Sequence, residues 1–238
     1  MKLSIIIPVK NEEEYLPCLL ESLKRQTLQP FEIIVSDAGS SDKTVDIAKK
    51  FKARIVKGGL PAIGRNSGAK IAKGDFLFFL DADTNVPDDF VEKSIKEIKI
   101  RKLKTATVDN VPFYRPNEKG YSSRNIRLFD RMIYAFYNFG QRALNRLGFP
   151  IATGVCIISE KKLFEKIKGF DENLEVFEDA EYVKKASRYS RFGVLKSTKI
   201  FISTRRFDKK GRFWFPIYMG LGGTVARFLL KTKKNYFK

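Results

Sequence analysis

Asp81 and Asp83 flank Ala82 and close the run Asp75-Phe76-Leu77-Phe78-Phe79-Leu80. That run reads as a buried strand, because it is apolar, aromatic and too short for a helix. Two carboxylates one residue apart at the end of a buried strand are costly to hold together unless a positive group joins them. A divalent cation is the simplest such group, and magnesium or manganese takes oxygen ligands. Ligands also collect outside the carboxyl ends of strands in open α/β sheets. The same three residues read equally well as an ordinary turn, so position alone leaves both readings open.

What else the chain contains narrows the chemistry. There is no histidine among the 238 residues. Histidine triads, histidine-ligated zinc and histidine bases are therefore excluded, and proton transfer falls to a carboxylate, Lys, Tyr or Cys. Cys18 and Cys156 lie in apolar surroundings and read as buried free thiols in a reducing compartment. The net charge of +19 calls for an acidic partner, whether nucleic acid, anionic lipid or a phosphorylated substrate. From Arg205 to Lys238 there are ten Lys or Arg and one acid, so the excess concentrates at the end of the chain.

The elements that must position these residues alternate through the first hundred positions. Strands are expected at Leu3–Val9, Phe31–Ser36, Ala53–Lys57 and 75–80, and helices at Glu12–Gln26, Thr44–Phe51, Ile63–Ala72 and from Pro87 to about Ile100. Strands alternating with helices imply a mostly parallel sheet covered on both faces. Further on, Thr105–Val111 and Gly154–Ser159 read as strands, Lys161–Ile167 and Glu178–Tyr189 as helices, and Gly193–Ser203 as one or two short strands. Ser123–Leu147 reads as an amphipathic helix with Ile126, Phe129, Ile133, Phe136, Tyr137, Leu144 and Leu147 on its apolar side. Phe213–Ala226 carries no charge but contains Pro216 and three glycines, and it is too short to span a bilayer. Aromatic residues set between basic clusters suit a membrane interface. The other reading of this segment is a core-packing extension. The chain opens directly with a strand, so no cleavable leader is expected.

Four motifs in register carry a resemblance. They are Ile5-Ile6-Ile7-Pro8-Val9-Lys10-Asn11-Glu12-Glu13, then Glu32 to Thr44 with Asp37 at a strand end, then Gly64-Arg65-Asn66-Ser67-Gly68-Ala69, then Asp81-Ala82-Asp83. Their order and spacing resemble the inverting nucleotide-sugar glycosyltransferases of family 2, which have the GT-A fold. The resemblance covers roughly residues 3–205. It implies a GT-A domain over 1–205, a Rossmann-like, mostly parallel sheet with helices on both faces, and a basic, aromatic tail over 206–238.

It also implies roles. Pro8, Lys10 and Glu12 match loop positions of the nucleotide pocket, and Asp37 matches the acid facing the base. Members often carry a second acid after it, where this chain has Ala38, so the base preference stays open. Arg65 matches a basic position near the donor, open to phosphate. Asp81 matches the acid near the ribose, with Ala82 between, and Asp83 the metal ligand on the diphosphate. Asn85 stands where some lipid-phosphate sugar transferases carry a second ligand. Phe177-Glu178-Asp179-Ala180-Glu181 is similar to the family's later acidic pair, which makes Asp179 the general base and sets Glu178 beside it. Gly154 matches a small residue at the acceptor site, and Arg205-Arg206 an arginine pair for diphosphate. The implied partners are a Mn2+ or Mg2+ ion, a UDP- or GDP-sugar donor, and a glycan or polyprenyl-type lipid acceptor. The implied place is the inner face of the cell membrane, peripheral on its anionic surface. Two rivals remain: a nucleotidyltransferase, which usually wants a glycine-rich basic loop where Lys10-Asn11-Glu12-Glu13 stands, and a basic nucleic-acid-binding protein, for which no motif appears.

Overall fold

The computed structural model describes residues 2–118 and 121–211. In chain order the elements are β1 (Leu3–Val9), α1 (Leu16–Lys24), β2 (Glu32–Asp37), α2 (Thr44–Lys50), β3 (Arg54–Lys57), α3 (Pro61–Ile71), β4 (Phe76–Leu80), β5 (Thr84–Asn85) and α4 (Phe90–Ile100). They continue as β6 (Thr105–Phe113), α5 (Arg124–Arg146), β7 (Cys156–Glu160), α6 (Lys161–Lys166), α7 (Glu178–Ser187), β8 (Phe192–Ser203) and α8 (Arg205–Lys210). The eight strands form one sheet in the order β3-β2-β1-β4-β7-β6-β8-β5. Strands β3, β2, β1 and β4 are parallel, β7 runs antiparallel between β4 and β6, and β8 is parallel to β6. This is the mixed, mostly parallel sheet of the GT-A fold.

Alternation along each strand divides the core between the two faces of the sheet. Ile5, Ile7, Phe78 and Leu80 meet the apolar sides of α1 and α4 in one layer. Ile6, Leu77 and Phe79 meet α3, α6 and α7 in the other. The strand directions then bring five chain segments to one edge. Val9 pairs with Asp37 at the ends of β1 and β2, and Leu80 pairs with Cys156 where β4 ends and β7 begins. The Ser203 N–H at the end of β8 donates to the Asp83 carbonyl at 3.0 Å.

Local departures from the expected elements have identifiable causes. Helix α1 starts at Leu16 rather than Glu12, because the Glu12 and Glu13 N–H groups donate to Thr44 Oγ1 and Asp42 Oδ2 instead of entering a helix. The Gly193–Ser203 region is one strand, irregular where the register of β6 and β8 shifts beyond Val108 and Leu195. The unmatched Lys196 and Ser197 N–H groups donate to the Glu97 carboxylate. Helix α8 was not expected at all.

Helix α5 forms where the amphipathic helix was expected. Its inner side faces β6 and β8 with polar groups: Asp130 and Gln141 are buried, and Asn138 exchanges hydrogen bonds with the Asn110 backbone. Phe136 and Leu147, on the expected apolar side, are 80% and 72% exposed. No helix among the described residues is long and apolar enough to cross a membrane. The uncharged Phe213–Ala226 segment lies outside the described residues, as does nearly all of the expected 206–238 tail.

Candidate active site

Helix α3 carries the hub of the site. It lies close on the sheet because Gly68 leaves no room for more: a Cβ there would come within 2.4 Å of Ile6. That proximity sinks Arg65 into the protein, where it is 2% exposed. Its Nη1 donates to Glu178 Oε1 at 2.6 Å, and its Nη2 donates to Asp81 Oδ1 and to the Gly154 carbonyl, both at 3.0 Å. The guanidinium also lies 5.4 Å from the Phe170 ring centroid. Arg65 was expected to be available to phosphate. Its contacts are instead with two carboxylates and a carbonyl, which it fixes in place. A planar five-donor fork suits that task.

Around this hub the acids differ in character. Burial pushes the Asp81 carboxyl above its ordinary range, while Arg65 pulls it down. Asp179, in the first turn of α7, is pushed up to about 7 by burial and by the neighbouring Glu178 charge, with Arg65 opposing. Phe177 immediately before them is left-handed, at φ 64°, a strained setting for a residue with a side chain. Gly154 fits beneath: a Cβ there would lie 2.6 Å from Arg65 Nη2 and 3.4 Å from Asp179 Oδ2. Arg65 is held on both sides and cannot retreat. Gly154→Ala is therefore expected to displace Arg65 and lower turnover at least tenfold, measured as kcat on enzyme whose circular dichroism is unchanged.

A second cluster lies at the end of β8. Arg205 Nε donates to Asp83 Oδ2 at 3.0 Å and its Nη2 to Glu12 Oε1 at 2.6 Å. Arg206 approaches Asp81 and Asp83, each at 3.7 Å. The Tyr15 ring stacks over Arg205, with 4.2 Å from Cζ to the centroid. Burial pushes the Glu12 carboxyl up against the opposing pull of Arg205. Buried Glu118 anchors the turn into α8, accepting from Ser203 Oγ, Thr204 Oγ1 and the Thr204 N–H. A cleft of about 340 Å³ adjoins Arg205, lined in part by Asn11, Tyr15, Asp42 and Glu118.

These residues fit a cation that arrives with its substrate. Asp83 is 2% exposed, and its Oδ1 has no hydrogen-bond partner. No group of three or more His, Cys, Asp or Glu suited to holding a metal is present among the described residues. Magnesium-type sites commonly take one or two carboxylates and complete their shell with substrate phosphates and water.

The remaining expected residues sit on the same edge with varied surroundings. Pro8 lies on β1 beneath Gly64, and Lys10 follows at the strand end, half-buried. Asp37 accepts from the Gly39 N–H and from Ser40 Oγ within its own loop. Ala82 is buried in the core. The Asn85 amide nitrogen donates to Cys18 Sγ at 3.3 Å, against α1. Cys18 and Cys156 are free thiols, the second buried. Four contributors were missed: Glu118, Tyr15, and Tyr134 and Tyr137 of α5. Burial raises the Tyr137 phenol, with Asp179's charge adding to the effect, and Tyr134 stacks on Phe207. In the sequence Tyr137 reads only as part of the apolar period of the helix, and Tyr134 gives no signal.

A family model described as glycosyl transferase family 2 matches residues 4–168. The chain belongs to this family. A glycosyltransferase of uncharacterized role from Haemophilus influenzae is 30% identical over 191 residues, 77% of this chain and 61% of its own length. A poly(ribitol-phosphate) beta-glucosyltransferase of Bacillus spizizenii is 34% identical over 130 residues, 47% of this chain and 20% of its own. This member of the family thus spans only part of such curated relatives. Among solved structures, Staphylococcus aureus TarS 1–349 with UDP-GlcNAc superposes with a TM-score of 0.65 at 23% identity, covering 86% of this chain and 59% of that one. The mannosyltransferase PcManGT of Pyrobaculum calidifontis, with GDP-Man and Mn2+, gives 0.71 at 18% identity, covering 98% and 66%. At those identities the likeness establishes the GT-A fold.

Proposed function

We propose that this family member moves a sugar from a nucleoside diphosphate sugar to an acceptor hydroxyl, with inversion at the anomeric carbon. One observation carries the reading: Arg65 bridges two acidic ends of one site, Asp81 beside Asp83 and Glu178 beside Asp179. The donor half is the Asp83 end, with Pro8 and Asp37 at the ends of β1 and β2 and Lys10 and Glu12 in the loop after β1 around the nucleotide. Complexes of similarly folded proteins with UDP-GlcNAc, and with GDP-Man and Mn2+, support a nucleotide-sugar donor and a divalent cation. Asp83 would hold that cation, with Asn85 offering a second oxygen ligand, and the cation would supply positive charge to the departing diphosphate. Arg205 and Arg206 turn from carboxylates to phosphate, a change of partner that suits guanidinium groups. At the other end Asp179 takes the acceptor proton as its oxygen attacks the sugar from the opposite face. A carboxyl near 7 is well matched to that task at neutral pH. The acceptor is a glycan or a polyprenyl-type lipid, met at the inner face of the cell membrane. If the acceptor is a lipid phosphate, its oxygen is already ionised and Asp179 has less to do. The exposed apolar side of α5 favours keeping this second reading.

A screen of UDP- and GDP-sugars with manganese, read as nucleoside diphosphate release, tests the proposal directly. Thermal stabilisation should appear with nucleotide and manganese together. No shift with any nucleotide and metal, against a shift with oligonucleotide, would sink it.

The pairing of Arg205 with Asp83 and Glu12 has its own expected outcome. Arg205→Ala removes a cation from beside Asp83, so manganese alone should bind several-fold more tightly, while donor KM rises about tenfold as a charge-assisted phosphate contact is lost. Manganese titration by electron paramagnetic resonance and donor kinetics measure the two effects separately.

A further inference from the structure

We propose that the outer side of α5 is a docking surface for an anionic lipid bilayer, lying flat in its interface. This deepens the reading of a membrane-borne acceptor and rests on it for its purpose, but not for its evidence. Leu128, Met132, Phe136, Phe139, Leu147 and Phe149 are all large, apolar and more than half exposed. The first four are spaced three or four residues apart, which sets them along one side of the helix. Phe136 and Phe139 are 80% and 70% exposed, far beyond what an isolated surface residue needs.

The charges beside this stripe select the occupant. Helix α5 carries five arginines and one acid, and that acid, Asp130, is buried on the inner side. Exposed Arg124, Arg131 and Arg146 therefore accompany the apolar stripe with no exposed carboxylate on the helix. At the C-terminal end of α5 a cleft of about 680 Å³ is lined by Arg101, Arg142, Arg146, Arg191 and Lys196. The one acid lining it, Glu97, is already occupied by Arg101 and by the Lys196 and Ser197 N–H groups. Apolar residues flanked by arginine, beside a basic cleft, match acyl chains beneath anionic headgroups. A protein partner or a second copy of this chain would have to answer that positive field with acids, and a second copy brings the same arginines. The inner side of the same helix places Tyr137 near Asp179. One helix thus meets the bilayer on one side and the acceptor end of the site on the other.

The test is flotation of the full chain with vesicles of phosphatidylcholine containing about a third phosphatidylglycerol, and with pure phosphatidylcholine. The wild-type chain should float with the anionic vesicles and be released by 0.5 M salt. Phe136→Glu with Phe139→Glu should weaken partition at least tenfold, while manganese-dependent donor hydrolysis and the melting temperature stay unchanged, since both side chains are in solvent. Phe136→Leu should retain binding. Loss of donor hydrolysis in every variant and in the wild type would count against the transferase reading and leave the docking result standing. Equal flotation of the double Glu variant would place lipid binding elsewhere in the chain and overturn the proposal. So would a dimer in solution that Phe136→Glu dissociates without any vesicle binding by the wild type.

Discussion

Asp179→Asn should lower kcat by roughly 10²–10⁴ at neutral pH, the span that a positioned general base supplies. The side chain keeps its size and can still accept from the Ala180 N–H, as Asp179 Oδ1 does at 2.7 Å, so the start of α7 should survive. What disappears is a carboxylate that can take a proton near pH 7. The pH profile of wild-type kcat should rise through a limb near 7, where Asp179 loses its proton, and that limb should be missing from the variant. Stability provides an independent readout of opposite sign. Because the folded carboxyl titrates near 7 and the unfolded one near 4, the folded chain binds the extra proton between those values. Wild-type stability attributable to this group therefore falls as pH rises from about 4 to 7, and the penalty persists above. Asp179→Asn should melt higher than wild type at pH 8 and lose that advantage towards pH 4. A loss of turnover under tenfold, with the limb still present, would instead indicate an acceptor that is already ionised.

Arg65→Met has the largest expected effect on stability, about 3–5 kcal/mol in chemical denaturation, because it leaves Asp81 and Glu178 facing each other in the interior without their cation. Methionine matches the stem of arginine, so the loss reports charge and hydrogen bonding rather than an empty volume. The defect should ease at low pH, as protonation of Asp81, whose carboxyl burial pushes up, removes part of the stranded charge. A companion substitution supplies the check. Arg65→Met with Glu178→Gln should recover part of the loss, because one of the two unpaired charges is gone. Denaturant midpoints for the four combinations give the coupling directly.

The parts of this molecule that could be read from sequence are those set by neighbours in the chain. Strand alternation in Leu3–Val9 and Phe76–Leu80, and the carboxylates that close β4, depend on a few consecutive residues. The same holds for Asp179 in the first turn of α7. Arg65 shows the limit. Its type and place on α3 were legible, but its direction is set by Glu178, 113 residues on. Glu118 gave no signal, because its purpose is to hold the turn after Ser203. Helix α5 is legible by its period, which leaves open which side meets the sheet. Periodicity finds the stripe, but whether that stripe meets the sheet depends on Asn110, Asp130 and Gln141, whose polar contacts claim the inner side.

The contacts that define the site also order the events by which the chain acquires it. Glu178 meets Arg65 across 113 residues, and Arg205 meets Glu12 across 193. Pairings so distant in sequence are slow to form and bear the full entropy of closing their loops. During synthesis the first four parallel strands can assemble early, yet Arg65 then lacks Glu178 and Asp83 lacks Arg205. Asp83 and Glu12 are left uncompensated until β8 has emerged and delivered Arg205. Among the described residues the last strand to emerge is thus the one that finishes both the sheet and the site.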